Sequence, residues 1–296
     1  MKWFFLPDSA SAGVASNLNP MLALTITATV HIGVFGSFHP KVLELRPAAG
    51  TVLHVQDRGQ SKILQGMETL KITGPLYVSG GNGEPVRFSL AVPGVVRREY
   101  AGRLTVKKRG VELIPIVEMS RETAVTSILA GEGADALPLE ARKAQAIAAR
   151  SYLAAVHGRH EGFDFCDTTH CQKLNGASAA ASVAARAVRD TREVVLMYRG
   201  TIVPALYTAN CGGRTKTPID AGWMVAGYPY FPVACPLKGD GAGHGIGLCQ
   251  LGAQSMAQRG ATFDQILSHF FPHTTLESVT QQVPVLISDT GVHAAW

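Results

Sequence analysis

The stretch Ser127-Ile-Leu-Ala-Gly-Glu-Gly-Ala-Asp-Ala-Leu-Pro-Leu-Glu-Ala-Arg-Lys-Ala-Gln-Ala-Ile-Ala-Ala-Arg-Ser-Tyr152 decides the architecture of this chain, because it closes one helix and opens another around a single acid. Upstream, Ser120 is a candidate N-cap, Glu122 lies in the first turn, and Val125, Ile128 and Leu129 recur at helical spacing, which predicts a helix over 121–130. Downstream, Pro138 suits a first helical position, and Ala144, Ile147, Ala148, Ser151, Tyr152 and Ala155 make one core face. Glu132 falls between the two helices, with Gly131 and Gly133 leaving its surroundings open. Ala130, Ala134, Ala136 and Leu137 give it apolar neighbours, which favour a protonated carboxyl. Asp135 reads as a loop residue, and Glu140 as a first-turn acid favoured by the helix dipole.

The second helix carries Lys143 and Arg150, seven residues apart and on the same side. A guanidinium walled by alanines pairs with an acid or lines a polar cleft when it is buried, and is an ordinary solvated charge when it is not.

Working outward, residues 22–118 read as a strand-rich lobe, with strands over 24–30, 42–46, 51–55, 63–70, 86–92 and 104–108 punctuated by Gly and Pro. Residues 119–280 read as a mixed helical lobe. It contains a helix over 178–190, a hairpin of 194–198 with 202–207 around Arg199-Gly200, a helix that opens after a glycine loop and ends at Gly260, and a last helix over 263–271. The expected class is α+β, flanked by a leader or disordered segment at 1–21 and a tail at 281–296. The chain has 296 residues, of which 46% are hydrophobic and 17% charged, so it holds a sizeable core and is not disordered. Its net charge of +5 favours an anionic partner. No basic stripe interleaved with aromatics appears, so no nucleic-acid partner is expected. Pro7 and Asp8 cut short the apolar run at the start, and the stretch 21–35 is too polar for a span, so no transmembrane helix is evident.

Residues 155–172 concentrate two cysteines and three histidines. His160, Cys166, His170 and Cys171 offer two imidazoles and two thiolates, a tetrahedral set suited to Zn²⁺, with His157 a substitute for His160. A Cys166–Cys171 disulfide or two free thiols are the competing readings. The glycine loop 241–249 lacks the strand-first context and lysine of a phosphate-binding turn, so a nucleotide site is not expected.

Four motifs in order resemble the SpoIID (stage II sporulation protein D, SpoIID/LytB) family: the segment Glu132 to Tyr152, Cys166-Asp-Thr-Thr-His-Cys-Gln172, Tyr207-Thr-Ala-Asn-Cys-Gly-Gly213, and Gly243-His-Gly-Ile-Gly-Leu-Cys-Gln-Leu-Gly-Ala-Gln254. The similarity extends over about 30–280. It implies a peptidoglycan lytic transglycosylase acting on glycan strands free of stem peptides, with Glu132 as acid and then base. It further implies that Lys143, Arg150, Tyr207, Asn210, Gly212, His244 and Gln250 bind substrate. Zinc at His160, Cys166, His170 and Cys171 would be structural, since four protein ligands leave no open position and the chemistry needs no cofactor. A wall-degrading enzyme works outside the cytoplasmic membrane, so an extracytoplasmic location follows, and with it a disulfide between Cys211 and Cys235 and a buried thiol at Cys249. Two other classes remain: a non-catalytic wall-binding enhancer of an N-acetylmuramoyl-L-alanine amidase, and a zinc hydrolase built on the cysteine–histidine cluster.

Overall fold

The computed structural model describes residues 29–132, 137–177, 182–225 and 227–279. In chain order its elements are β1 (Thr29–Gly33), β2 (Leu43–Pro47), β3 (Val52–Asp57), β4 (Gln60–Gln65), β5 (Leu70–Ile72), β6 (Leu76–Ser79), β7 (Val86–Val92), β8 (Val96–Arg109), β9 (Glu112–Ser120), α1 (Arg121–Gly131), α2 (Leu139–Ala155), β10 (Phe165–Cys166), α3 (Val183–Asp190), β11 (Val194–Tyr198), β12 (Thr201–Ile202), β13 (Tyr207–Thr208), β14 (Leu248–Cys249), α4 (Gln250–Gln258), α5 (Phe263–Phe270) and β15 (Thr275–Ser278). Strands precede helices interleaved with short strands, and the class is α+β, as the sequence patterns predict. The expected segments at 1–21 and 281–296, and residues 178–181 at the start of the expected third helix, lie outside the described residues.

The strand-rich part is organised by β8. Its first half, up to Gly102, pairs with β7, and its second half pairs with β9 and β6. At the changeover a Cβ on Gly102 would lie 2.2 Å from the carbonyl oxygen of Glu118, so the strand crosses there only as glycine. The expected strand over 104–108 is thus one half of a longer one. β6 and β9 were not expected: Pro115 inside β9 reads as a breaker, yet it sits within the ladder opposite Val106. The expected strand over 63–70 stops at Gln65, because Gly66 turns the chain at φ +62.

Helices α1 and α2 form as the caps and periodicity predict. The Ser120 side chain accepts a hydrogen bond from the Thr123 backbone, while Pro138 sits one position earlier than expected, as the N-cap of α2. One expectation changes in kind. α2 is buried around almost its whole circumference, because it runs between two cores. On one side Leu153 joins Phe88, Leu104, Val117 and Ile128; on the other Ile147 and Ala148 join Leu248, Phe270 and Phe271. A helix enclosed on both sides must be narrow, and this accounts for its alanines better than a single core face does.

The hairpin also differs. β11 pairs with β12 around Arg199 and Gly200, both at positive φ, but β12 ends at Ile202 and Pro204 follows. Tyr207 belongs instead to β13, which runs parallel to β14 with Tyr207 opposite Leu248. The segments 204–209 and 243–250 are thereby brought side by side.

Candidate active site

Glu132 is the C-cap of α1, its N–H bonded to the carbonyl of Ile128. Below it, the buried Arg142 of α2 donates to the Leu129 carbonyl at 3.0 Å and fixes the end of α1 against α2. The space beside Gly131 is not open, contrary to expectation. The backbone of 173–175 fills it so closely that a Cβ on Gly131 would lie 2.7 Å from the Lys173 carbonyl oxygen. That approach lets the Lys173 N–H donate to Glu132 Oε1 at 3.0 Å. Burial raises the Glu132 pKa above the ordinary carboxylate value of 4.5, opposed by the Lys173 N–H and by the nearby Gln250 side chain. Gly133, Ala134, Asp135 and Ala136 lie outside the described residues.

Glu132 lines a cleft of about 230 Å³ whose walls include Tyr152, Arg159, Gln172, Tyr207, Trp223, His244 and Gln250. Among the described residues lining it, Glu132 is the one carboxylic acid. Two polar atoms in these walls, Gln172 Oε1 and Tyr207 Oη, are buried without a hydrogen-bond partner among the described residues, while the Gln250 side chain lies close enough to act on the Glu132 carboxylate. Buried polar atoms are nearly always paired, so two orphans in one cleft point to a polar ligand. Burial, and then the nearness of Glu132, hold the Tyr207 pKa well above 10.0, so its hydroxyl remains a donor.

His244 is in the cleft wall, but its nitrogens are committed. Nδ1 accepts from the Ile246 N–H at 3.0 Å, which leaves Nε2 to donate to the Tyr207 carbonyl at 3.0 Å. Burial lowers its pKa, so the ring is neutral and ties segment 243–250 to β13. Trp223 packs on it with ring centroids 4.6 Å apart. The sequence offered His244 as a hydrogen-bonding group for sugar; the structure leaves it a ring face.

His160, Cys166, His170 and Cys171 converge, with one ligand atom from each lying within 4.8 Å of the others. His160 Nε2 is 3.2 Å from Cys171 Sγ, and His170 Nδ1 is 3.7 Å from Cys166 Sγ. A hydrogen bond between the two thiols lowers the Cys166 pKa well below the ordinary cysteine range and raises that of Cys171 well above it. His157 is exposed and takes no part. The loop is anchored to the sheet: β10 runs parallel to β1 with Ile32 opposite Phe165, and Asp167 binds Arg98 at 2.8 Å and the Phe35 N–H at 3.0 Å. His170, Cys171 and Gln172 then enter the cleft, one residue before the Lys173 that touches Glu132.

Four residues named from the sequence as substrate contacts are not brought to the cleft. Arg150 is fully buried and bidentate to Glu122 at 2.7 and 2.8 Å, with Val194 and Val188 carbonyls as further acceptors; it pairs with an acid, the first of its alternatives. Lys143 binds Glu140 at 2.9 Å, and Glu140 also accepts the Phe263 N–H at 2.9 Å, joining α2 to α5. Asn210 spans the Asp240 carbonyl and the Gly212 N–H, so Asn210 and Gly212 shape a turn. Gln172, Arg159 and Trp223 were missed. Gln172 closes the segment 166–172 directly after the metal-type ligands, whereas nothing in the spacing of Arg159 or Trp223 marks them.

Cys211, Cys235 and Cys249 are free thiols, and their sulfurs lie within 4.8 Å of one another. Cys211 and Cys235 therefore meet, as a bridge between them requires, with Cys249 as a third neighbour. Among the described residues no helix is long and apolar enough to cross a membrane.

Residues 109–198 match the family model SpoIID, Stage II sporulation protein. Over 123 residues the chain is 34% identical to an uncharacterized protein of Brachyspira hyodysenteriae, across 40% of this chain and 33% of that protein. The chain thus spans about a third of the length of that relative. The matched family segment runs from β8 through α1, α2 and the cysteine–histidine loop to β11, and so contains Glu132 and the metal-type cluster. Over residues 109–198, less than a third of its length, the chain is similar to the SpoIID family of stage II sporulation proteins.

Proposed function

We propose that this protein is a peptidoglycan lytic transglycosylase that cleaves the bond between N-acetylmuramic acid and N-acetylglucosamine in glycan strands free of stem peptides. The observation that carries this reading is a carboxyl whose pKa is raised by burial, the one acid among the described residues lining a cleft that also holds unpartnered polar atoms. Hydrolytic glycosidases usually need two carboxyls, one to protonate the leaving oxygen and one to activate water or attack carbon. One is enough when the nucleophile is the sugar's own C6 hydroxyl. Glu132 gives its proton to the glycosidic oxygen as the bond from C1 breaks. The resulting carboxylate then takes the C6 hydroxyl proton as O6 bonds to C1, closing a 1,6-anhydro ring and restoring the acid without consuming water. The Lys173 N–H and the Gln250 side chain stabilise the intermediate carboxylate, and the unpartnered Tyr207 Oη would donate to a sugar oxygen.

The cysteine–histidine cluster fits Zn²⁺: two thiols and two imidazoles converge in a loop held rigidly to the sheet. His160, Cys166, His170 and Cys171 would hold it, and a bound ion would fix Gln172 and Lys173 against Glu132. With four protein ligands, zinc organises the loop and leaves catalysis to the carboxyl. A glycan substrate of this kind places the protein outside the cytoplasmic membrane, and its net charge of +5 suits an anionic wall.

The test is digestion of peptide-free glycan strands by wild type and Glu132→Gln, with mass analysis of the ends. Anhydro ends from wild type and none from the variant are expected. Binding without any cleavage by wild type would instead support a wall-binding enhancer of an amidase, and cleavage by the variant would remove Glu132 from the mechanism.

A further inference from the structure

The wall of the cleft opposite the cysteine–histidine loop is built from a long connection, residues 209–249, that carries Trp223, Met224 and His244. Both ends of this connection are fixed by backbone pairing. Asn210 and Ala242 exchange hydrogen bonds at 3.0 and 2.8 Å, Cys235 N–H donates to the Gly213 carbonyl at 2.9 Å, and β13 pairs with β14. At the point where these pairings converge, Cys211, Cys235 and Cys249 turn their sulfurs toward one another inside the second core, none of the three residues more than 8% exposed.

The surroundings are shaped to the sulfurs. A Cβ on Gly252 would lie 2.6 Å from Cys235 Sγ, so only glycine at that position leaves the thiol its place. Two backbone donors point at Cys249 Sγ, the Gly252 N–H at 3.3 Å and the Cys211 N–H at 3.4 Å, and Cys249 is also the N-cap of α4. Backbone N–H groups aimed at sulfur, at the positive end of a helix, are what stabilise a metal-bound thiolate. Among the described residues no histidine or carboxylate joins the three sulfurs.

We propose that Cys211, Cys235 and Cys249 form a three-sulfur site for a soft monovalent d¹⁰ cation, copper(I), independent of the His160–Cys171 cluster. The donor set decides the ion. Sulfur-only coordination selects soft cations, and a tetrahedral zinc site needs a fourth ligand that these residues do not supply. A trigonal site with metal–sulfur bonds near 2.3 Å sets its sulfurs roughly 4 Å apart, inside the 4.8 Å within which all three sulfurs lie. Binding is an exchange of protons for metal: the cation bonds to sulfur, thiol protons leave to solvent, and no sulfur changes oxidation state. The ion would fasten the connection carrying Trp223 and His244 to α4, and so stiffen one wall of the cleft.

The test uses the full chain with Cys166→Ser and Cys171→Ser, so that the other cluster no longer competes, titrated anaerobically with the copper(I)–acetonitrile complex. One equivalent of copper is expected, with an X-ray absorption spectrum showing three sulfur neighbours and no nitrogen or oxygen, and a rise in melting temperature. Adding Cys249→Ser should weaken uptake at least tenfold. If the double variant does not fold, wild type preloaded with zinc is used, and the same sulfur-only copper shell is expected. No copper uptake, a shell containing nitrogen or oxygen, or a Cys211–Cys235 disulfide in the purified protein overturns the proposal.

Discussion

Desolvation raises the Glu132 pKa, and the Lys173 N–H and the Gln250 side chain oppose the rise. This balance has a measurable sign. A carboxyl whose folded pKa lies above its unfolded value contributes stability that is present in full below the unfolded value and is lost as pH rises through the folded one. The melting temperature of wild type should therefore fall relative to that of Glu132→Gln as pH climbs from about 4.5, in thermal melts at matched ionic strength. A parallel pH dependence for the two proteins would show that the carboxyl is not shielded. Arg150 makes the opposite case, a charge whose role is structural. Arg150→Leu leaves Glu122 and two carbonyls without their donor, and is expected to cost about 3 kcal/mol in urea unfolding. At this scale the sequence was informative where chemistry is local. It singled out Glu132 from its flanking glycines, and left Arg150 divided between cleft and ion pair because its partner lies 28 positions away in α1.

At the scale of elements, the site depends on a contact between the end of α1 and the segment that follows the cysteine–histidine loop. Gly131→Ala should push the Lys173 carbonyl away, separate its N–H from Glu132, and destabilise the fold by about 1–3 kcal/mol through overpacking. With that donor lost, the Glu132 pKa rises further, so the alkaline limb of the kcat/KM profile should move to higher pH while wild type keeps the lower limb. An unshifted limb would mean that the N–H does not act on the acid. Both helices and their caps were legible, since Ser120 and Pro138 mark local starts. The pairing of β13 with β14 was not. It joins residues some forty positions apart, and a hairpin ending in Tyr207 satisfied every local rule except the break imposed by Pro204. His244 was legible through the family resemblance, whereas Trp223 reaches the cleft from inside the long connection 209–249 and carries no local mark.

For the whole molecule, two loops meet over α2, one tied to the first sheet through Phe165 and Asp167, the other to α4 and α5. The first loop should carry one zinc per chain by elemental analysis, and Cys166→Ser with Cys171→Ser should lose it. Chelation is expected to lower the melting temperature and reduce turnover in parallel; abrupt loss of cleavage with the fold intact would point to a zinc hydrolase. The metal-type cluster was legible from density of ligands alone, whereas the convergence of three cysteines from separate segments was visible only as a pair. The central claim is that bond cleavage uses the substrate's own hydroxyl in place of water. Digestion of peptide-free glycan strands in water enriched in heavy oxygen tests it most directly: the new muramic acid ends should be anhydro and carry no label, and labelled reducing ends would contradict it.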